Sequence, residues 1–290
     1  MSVDPNSIVE ALPYFKQFAG KTIVIKYGGS AQIDPVLRQN VCKDLVLMQT
    51  VGIQVVLVHG GGVEVSKMME RLGKVAEFIQ GLRVTDEETA EIAEMVLVGK
   101  VNKTIVAEIN LAGGTAVGLS GRDGKLVLAE KGVPIHVNGE SVDLGQVGTP
   151  TKVDTQIIQD LLSHDYLPVV APTGMGPDGE MLNINGDTVA AHVAGALSAE
   201  KLIFLTDQKG IMRDLSDETS LINQVEYSEI DDLRKEGVIG TGMIPKAEAA
   251  QFALDNGVNN VHILDGTVSH SLLLELFTSS GVGTMLSKKS

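Results

Sequence analysis

The chain has 290 residues, is rich in aliphatic side chains, lacks Trp and carries a formal net charge of −14 at pH 7. Its length allows one large domain or two lobes, and its negative charge argues against nucleic acid and anionic membranes as partners. The single Cys42 excludes an internal disulfide and a cysteine-based metal site. There is no signal-peptide pattern and no apolar run approaching ~18 residues, so we expect a cytoplasmic protein, or an organellar stromal one if a precursor was trimmed.

Apolar strands and amphipathic helices alternate along most of the chain. Runs of Val, Ile and Leu predict strands over 22–26, 55–59, 116–119, 126–129, 167–171, 202–206 and 261–264. Several runs are continuous, as expected for parallel strands that are covered on both faces. Helical patterns follow the capping pair Asp34-Pro35 and occupy 86–110, 187–197 and 244–255. The alternation predicts an α/β fold around a mainly parallel sheet.

Other segments carry local predictions. The helix over 86–110 should bury one face, formed by Ile92, Met95, Val98, Val101, Ile105 and Ile109. Near the N-terminus, Ile8, Leu12 and Phe15 share one face of another helix. The stretch "DGKLVLAEKG" (123–132) predicts a small antiparallel element at the edge of the sheet. Turn residues cluster at 176–187, where we place a boundary between an N-terminal lobe (1–182) and a C-terminal lobe (183–290).

Two predicted strands end in glycines, in "IKYGGSA" (25–31) and "VHGGG" (58–62). The dinucleotide-binding pattern G-x-G-x-x-G/A fails because Val65 stands at its third position, and neither turn continues as the Gly-Lys-Ser/Thr of a Walker A loop. The glycines therefore either permit a tight turn or expose backbone N–H groups to an anion near a helix N-terminus. Because both turns lie at the carboxyl ends of buried strands, where open α/β sheets bind ligands, we favour the second interpretation.

Two lysines and one aspartate lie at the ends of predicted strands and helices. Lys26 ends the first strand, and Lys246 lies in the first turn of a helix, where the helix dipole disfavours a cation unless an anion is bound. Asp187 begins another helix, either as an ordinary N-cap or as a functional carboxylate. The histidines are dispersed, and no Ser-His-Asp order or metal-spaced cluster is present. A reaction without a protein nucleophile or base suits phosphoryl transfer, where positioning and charge stabilisation supply most of the catalysis.

Several segments together resemble the amino acid kinase family: "IKYGGSA", "VHGGG", "GLRVTDEETAEIAEMVLVGKVNK", "LNINGDTVA", "LTDQKGIM" and "GTGMIPK". The likeness runs from about residue 11 to residue 285. The block "QGLRVTDEET" followed by "EMVLVGKVNK" is most similar to members that use ATP to phosphorylate the side-chain carboxylate of N-acetyl-L-glutamate in arginine biosynthesis. The resemblance implies a three-layer αβα sandwich with two lobes. Gly186 departs from the pattern, because family members usually carry Ala there.

The resemblance also implies roles at the matching positions. The catalytic centre would consist of Lys26, Lys246 and Asp187, with the lysines stabilising the transferring phosphoryl group and the aspartate organising both. Acetylglutamate would contact Gly61, Gly62, Arg83 and Asn183, with Arg83 at its α-carboxylate. ATP, accompanied by Mg²⁺, would contact Gly28, Gly29, Thr206, Asp207, Gly210 and Met243. No protein ligand of the metal is predicted.

The C-terminal stretch "LDGTVSHSLLLELFTSSGVGTML" resembles the arginine-site signature of members that L-arginine inhibits, with Glu275 and Gly281 as candidate contacts. In those members the N-terminal helices join dimers into a hexamer, so we expect a homo-oligomer, either a dimer or a hexamer. Cyanobacterial and plastid members also bind a PII-type nitrogen-signalling protein, a partner that this sequence leaves open.

Two alternatives remain. A sibling kinase acting on carbamate, aspartate, glutamate or UMP would share the glycine turns and lysines, but Arg83 within "GLRVT" argues against it. A non-catalytic sensor of arginine or acetylglutamate would keep the fold without turnover. The joint presence of Lys26, Asp187 and Lys246 argues against that sensor.

Overall fold

The computed structural model describes residues 5–137, 140–240, 242–279 and 281–288. Its helices are α1 (Pro5–Phe18), α2 (Ser30–Ile33), α3 (Pro35–Thr50), α4 (Gly62–Arg71), α5 (Glu87–Glu94), α6 (Lys103–Leu111), α7 (Gln156–Ser163), α8 (Gly186–Ala196), α9 (Ile230–Lys235), α10 (Ile244–Asp255) and α11 (Ser271–Phe277). A π-helical segment, Met95–Asn102, joins α5 to α6. None of the described helices is long and apolar enough to cross a membrane.

Most of the strands build one large sheet. The strands are β1 (Thr22–Tyr27), β2 (Gln54–His59), β3 (Phe78–Ile79), β4 (Leu82–Arg83), β5 (Ala116–Ser120), β6 (Val127–Lys131), β7 (Ile135–Val137), β8 (Glu140–Val142), β9 (Gly148–Val153), β10 (Leu167–Ala171), β11 (Thr173–Met175), β12 (Met181–Asn183), β13 (Lys201–Thr206), β14 (Gln224–Glu226), β15 (Asn260–Asp265) and β16 (Thr284–Ser287). The large sheet has the order β14-β16-β15-β13-β1-β2-β10-β5. Its pairs are parallel except for β15–β16. The predicted α/β fold around a mainly parallel sheet is therefore confirmed.

Helices cover both faces of this sheet, which gives three layers. Along β1, the side chain of Val24 packs in a core with α7, α8, α9 and α10. The neighbouring Ile23 and Ile25 pack on the opposite face with α3, α4, α11 and the long helix over 87–111. Successive side chains of a strand point to opposite faces, so a strand with two buried faces must be apolar throughout. This requirement explains the continuous Val and Ile runs of the sequence.

The predicted strands are present, but one of them lies in a different sheet. The run 126–129 was expected at the edge of the main sheet, and this expectation is wrong. The strand β6 belongs to a separate four-stranded sheet with the order β12-β11-β6-β9, in which it pairs antiparallel with β9. The N–H of Val127 donates to the carbonyl oxygen of Gly121 (2.8 Å), and this tight turn after β5 directs the chain out of the main sheet.

The long helix over 87–111 buries most of the face that α-helical spacing predicts, with the exception of one residue. Met95 was expected in the core, but it is 54% exposed, whereas Leu97 is 3% exposed. The cause is the π-helical segment, because a π-helix places more residues in each turn than an α-helix and so shifts the apolar stripe. Beyond this segment the prediction is correct, since Ile105 and Ile109 are buried.

The N-terminal helix α1 packs against α11. The rings of Phe15 and Phe277 meet edge to face, with centroids 4.9 Å apart, and Phe18 is buried. Leu12 is 46% exposed, and the side chain of Ile8 lies outside the described residues. An assembly through α1 therefore stays a prediction.

The proposed boundary between lobes at residues 182 and 183 also stays a prediction. The main sheet runs across it, because β1 from the first segment pairs with β13 from the second. Residues that are far apart in the sequence are thereby placed on adjacent strands.

We expect Leu97→Ala to lower the free energy of unfolding by ~2–4 kcal/mol, because truncating a buried leucine removes apolar contacts and leaves a cavity. Met95→Ala should change it by less than ~0.5 kcal/mol, since that side chain is mostly exposed. Urea unfolding followed by circular dichroism measures both values. A regular α-helix with Met95 in the core would give the larger loss for Met95→Ala instead.

Candidate active site

The carboxyl ends of neighbouring strands bring the two glycine turns together. The strand β1 lies between β2 and β13, so Tyr27 is opposite His59 on one side and Leu205 on the other. The turn at 28–29 is therefore adjacent to the turn at 60–62, and the N–H of Gly60 donates to the carbonyl oxygen of Tyr27 (2.6 Å). This edge of an open α/β sheet is where ligands bind.

Asp187 holds Lys26 and Lys246 on either side of its carboxylate. The Nζ of Lys26 lies 3.0 Å from Oδ1, and the Nζ of Lys246 lies 3.0 Å from Oδ2. Lys246 donates a hydrogen bond, whereas the Lys26 contact is an ion pair without hydrogen-bond geometry, so Oδ1 has no hydrogen-bond donor among the described residues. The Asp187 side chain is only 6% exposed. The three residues predicted as a catalytic centre are in contact, and their roles stay predictions.

Asp187 lies in the first turn of α8, but it is not the N-cap. The N-cap is Asn185, whose Oδ1 accepts a hydrogen bond from the N–H of Asp187 (2.7 Å), and this leaves the Asp187 carboxylate to the lysines. Burial by itself would raise the pKa of Asp187, but the charges of Lys26 and Lys246 outweigh it and hold the pKa below its ordinary value. The carboxylate is therefore ionised at neutral pH, and the cluster keeps a net positive charge.

A side chain in the first glycine turn would displace the charged side chains around it. A Cβ on Gly28 would lie 2.7 Å from the Nζ of Lys26, and a Cβ on Gly29 would collide with the carboxylate of Asp207. Gly29 also has a φ of 70°, in the left-handed region that favours glycine. The turn therefore presents bare backbone next to Lys26, an arrangement that suits phosphate oxygens.

The second glycine turn lines a cavity of about 160 Å³. A Cβ on Gly61 would lie 2.7 Å from Cδ2 of Leu97, and Gly61 gives α4 no side-chain cap. The N-terminal end of α4 is thus left for another hydrogen-bond acceptor, and its dipole favours a negative one. All the predicted acetylglutamate contacts line this cavity: Gly61, Gly62, Arg83 and Asn183.

Arg83 is a buried cation in the wall of this cavity, with 6% exposure. Its Nη2 donates to the carbonyl oxygen of Gly62 (2.7 Å) and to Oγ of Ser66 (2.8 Å), and its guanidinium lies 4.6 Å from the ring centroid of Phe78. Burial lowers the pKa of Arg83 below its ordinary value, yet an arginine stays charged at neutral pH. No carboxylate within the described part of the chain pairs with it, so its charge is available to an anionic ligand.

A short hairpin closes one side of the cavity, and the sequence interpretation did not assign it. The strands β3 and β4 pair antiparallel, and both Phe78 and Leu82 line the cavity. The turn residues Gln80 and Gly81 have φ values of 49° and 80°. Two central residues with positive φ are typical of a type I′ hairpin turn, and Gly81 at the second of these positions, between Ile79 and Leu82, was the available signal. Strands of two residues are too short for a periodicity to appear.

A second cavity, of about 210 Å³, lies between the segment after β13 and the start of α10. Gly210 and Met243 line it, and a Cβ on Gly210 would lie 2.5 Å from Oγ1 of Thr284. The other predicted ATP contacts, Thr206 and Asp207, precede it at the end of β13 and do not line it. A nucleotide fits these residues, because the cavity can hold a base while the bare turn at 28–29 and the lysines can hold phosphates.

The predicted arginine contacts, Glu275 and Gly281, line neither cavity. Glu275 accepts hydrogen bonds from Nδ1 of His262 (2.6 Å) and from the N–H of Val282 (2.7 Å). The Nζ of Lys201 lies 2.8 Å from Nε2 of the same histidine. A Cβ on Gly281 would lie 3.0 Å from Oε2 of Glu275. The two residues are therefore neighbours, and Glu275 belongs to a buried polar cluster with His262 of β15 and Lys201 of β13.

His59 is fully buried next to the second glycine turn. Its Nδ1 lies 2.6 Å from the carbonyl oxygen of Gly60, and its Nε2 lies 3.2 Å from Nδ2 of Asn102. Burial lowers the pKa of His59 to about 4, so the ring is neutral at pH 7. A carbonyl oxygen only accepts and an amide nitrogen only donates, so the proton resides on Nδ1 and Nε2 is an acceptor.

His59 should make the protein lose stability on acidification. Its pKa is about 4 in the folded state and ~6.5 in the unfolded chain, so below pH 6.5 the unfolded state binds the proton first. The contribution of His59 to the free energy of unfolding therefore falls as the pH decreases from 6.5 to about 4, and the loss between pH 7 and pH 5 is roughly 2 kcal/mol. Urea unfolding at these two pH values should show a loss that is smaller by about 2 kcal/mol in His59→Asn, which has no imidazole. Equal losses would contradict a neutral buried ring.

Comparison with known proteins shows the family of the chain. The model of the amino acid kinase family matches residues 21–265. The acetylglutamate kinase of Caldanaerobacter subterraneus subsp. tengcongensis is 52% identical over 282 residues, which cover 97% of this chain and 92% of the relative.

Solved structures of the N-acetylglutamate synthase from Neisseria gonorrhoeae are also similar. Its complex with coenzyme A and N-acetyl-glutamate has a TM-score of 0.85 and 28% identity, and the match covers 100% of this chain and 64% of the synthase chain. Its complex with coenzyme A and L-arginine has a TM-score of 0.81 and 25% identity, with 100% and 66% covered. From the family match and the 52% identical relative, we conclude that the chain belongs to the amino acid kinase family.

Proposed function

We propose that this protein transfers the γ-phosphoryl group of ATP to the side-chain carboxylate of N-acetyl-L-glutamate. One observation carries the proposal: a small cavity extends from Arg83, a buried cation that no carboxylate among the described residues pairs with, to Gly186 beside Asp187. A Cβ on Gly186 would lie 3.5 Å from Cε of Lys26, so this end of the cavity adjoins the lysine cluster. A dicarboxylic substrate needs one cation for the carboxylate that does not react and further cations at the carboxylate that does.

The substrate would bind with its α-carboxylate at Arg83 and its side chain directed to Lys26. Gly61 and Gly62 offer backbone N–H groups at the uncapped start of α4. Among the described residues, the side-chain amide of Asn183 makes one long contact, 3.4 Å, with Oγ1 of Thr85, and it can therefore bind polar groups of the substrate. The name of the 52% identical relative and the N-acetyl-glutamate in the synthase complex support this choice of substrate.

The reaction needs no protein base. A glutamate-type carboxylate has a pKa of ~4.3 and is already ionised at neutral pH. One of its oxygens attacks the γ-phosphorus of ATP, the bond between that phosphorus and the bridging oxygen breaks, and ADP and an acyl phosphate result. Lys26 and Lys246 stabilise the charge of the transferring group, while Asp187 orients both ammonium groups and reduces their mutual repulsion.

ATP would bind together with Mg²⁺. Among the described residues, no group of three or more His, Cys, Asp or Glu side chains is arranged to hold a metal ion. The ion would therefore be held mainly by phosphate oxygens and water, as is usual for Mg²⁺ with nucleotides. Its charge would add to that of the lysines.

Inhibition by L-arginine is a further part of the proposal. The carboxylate of Glu275, next to Gly281, suits the guanidinium of arginine, and the arginine complex of the similar synthase supports such a ligand. Assembly into a homo-oligomer and binding of a PII-type protein stay expectations from the resemblance, and a cytoplasmic location stays an expectation from the sequence pattern.

The test is ATP-dependent formation of acyl phosphate, trapped with hydroxylamine in the presence of Mg²⁺. N-acetylglutamate is compared with glutamate, aspartate and carbamate, and L-arginine is added in a parallel series. We expect turnover with N-acetylglutamate and a decrease with arginine. Turnover with another acceptor alone would indicate a sibling kinase, and folded protein without turnover on any acceptor would favour a sensor.

Lys26→Ala should lower kcat/KM by about 10²–10³, because losing one preorganised donor to the transition state costs ~2.7–4 kcal/mol. Lys21→Ala is the control, since this lysine precedes the same strand and its side chain is 55% exposed. Steady-state kinetics with N-acetylglutamate measures both variants. A rate for Lys26→Ala within threefold of the control would contradict the role of Lys26.

A further inference from the structure

We propose that His59 and Asn102 are positioning residues that hold the glycine turn at 60–62 in the shape that binds the acceptor substrate. The inference rests on the proposed function for the identity of that substrate. Neither side chain lines the cavity. They act through the orientation of one peptide group, the carbonyl of Gly60.

Asn102 is fixed on all sides. It has 0% exposure, and its Nδ2 donates to the carbonyl oxygen of Val169 (2.8 Å) as well as to Nε2 of His59. Its Oδ1 accepts from Nζ of Lys103 (3.0 Å). Because the lysine can only donate, the amide cannot be turned over, and its NH₂ group must face the histidine. Asn102 therefore fixes the tautomer of His59.

The fixed tautomer determines what the glycine turn can do. Nδ1–H of His59 donates to the carbonyl oxygen of Gly60, which also accepts from Nε2 of Gln32 (3.2 Å), and the N–H of Gly60 is held by Tyr27. These hydrogen bonds hold the peptide group of Gly60, which itself lines the cavity. Gly61 and Gly62 follow it in the cavity wall, at the start of α4.

The π-helical segment explains how one helix reaches both the cavity and the histidine. Leu97 lines the cavity and Asn102 contacts His59, five positions further along the chain. In a π-helix, residues five apart are joined by the i→i+5 hydrogen-bond pattern and lie nearer to one face, whereas in an α-helix they would be separated by about 140° around the axis. The irregular winding thus places two functional contacts on one face of the helix.

A purely structural role does not account for this pair. Burying an imidazole and a primary amide costs desolvation, and two apolar side chains would fill the same space without that cost. What the polar pair adds is directed hydrogen bonds, from Asn102 to the carbonyl of Val169 and from His59 to the carbonyl of Gly60, and only the second acts on the glycine turn. Its loss should therefore change the binding of the acceptor substrate more than the binding of ATP, which uses a different turn and cavity.

Two variants of His59 separate these roles. In His59→Asn, the side-chain NH₂ occupies the place of Nδ1 and keeps the donor to Gly60. In His59→Gln, the amide reaches the place of Nε2, keeps the contact with Asn102 and loses that donor. Both variants remove the ring, so they serve as controls for each other.

We expect His59→Gln to raise the KM for N-acetylglutamate about tenfold, the effect of one lost hydrogen bond, with the KM for Mg-ATP within about twofold of wild type. His59→Asn should recover most of the lost affinity. The same KM in both variants, or a parallel rise in both substrates' KM values, would overturn the inference.

A second measurement does not depend on activity or on the folding of a variant. The ¹⁵N NMR spectrum of the wild-type protein at pH 7 should show His59 protonated at Nδ1 and not at Nε2. Protonation at Nε2 would overturn the inference. Absence of wild-type turnover would instead refute the proposed function, and the NMR result would still decide the role of the pair.

Discussion

The candidate site at the carboxyl ends of the strands depends on one carboxylate that lies between two ammonium groups. Lys26 ends a central strand and Lys246 begins a helix far along the chain, and each is 3.0 Å from an oxygen of Asp187. Two cations in a poorly solvated site would repel each other strongly, and the shared counter-charge allows them to lie close together. The same contact ties β1, α8 and α10 into one rigid unit. A cluster with one residual positive charge is then ready for an anion before any ligand arrives.

An acidic protein can bind an anionic ligand when several of its cations lie together at one site. The chain has a net charge of −14, yet Lys26, Lys246 and Arg83 all face the edge where the glycine turns lie. Burial increases the effect of each of these charges, because fewer water molecules screen them. The overall charge therefore argues against anionic macromolecules as partners, whereas the local charge favours anionic small molecules.

The two glycine turns are alike in sequence but differ in what supports them. The turn at 28–29 is confined by charged side chains, those of Lys26 and Asp207. The turn at 60–62 is confined by Leu97 and by a neutral, buried hydrogen-bond network around His59. A charged surrounding suits phosphates, whereas a neutral and partly apolar one suits a small organic acid. This division follows from packing, and the glycines alone do not reveal it.

The sequence by itself determined the alternation of strands and helices, the glycine turns and the positions of the lysines, because periodicity and turn chemistry are local properties of the chain. Tertiary structure decided the rest. Asp187 can pair with the lysines because Asn185 is the N-cap of α8. Met95 lies outside the core because the segment that begins with it is π-helical. The pairing of Asn102 with His59 likewise joins residues 43 positions apart. Such contacts depend on which elements pack against each other, and no local pattern of side chains encodes that packing.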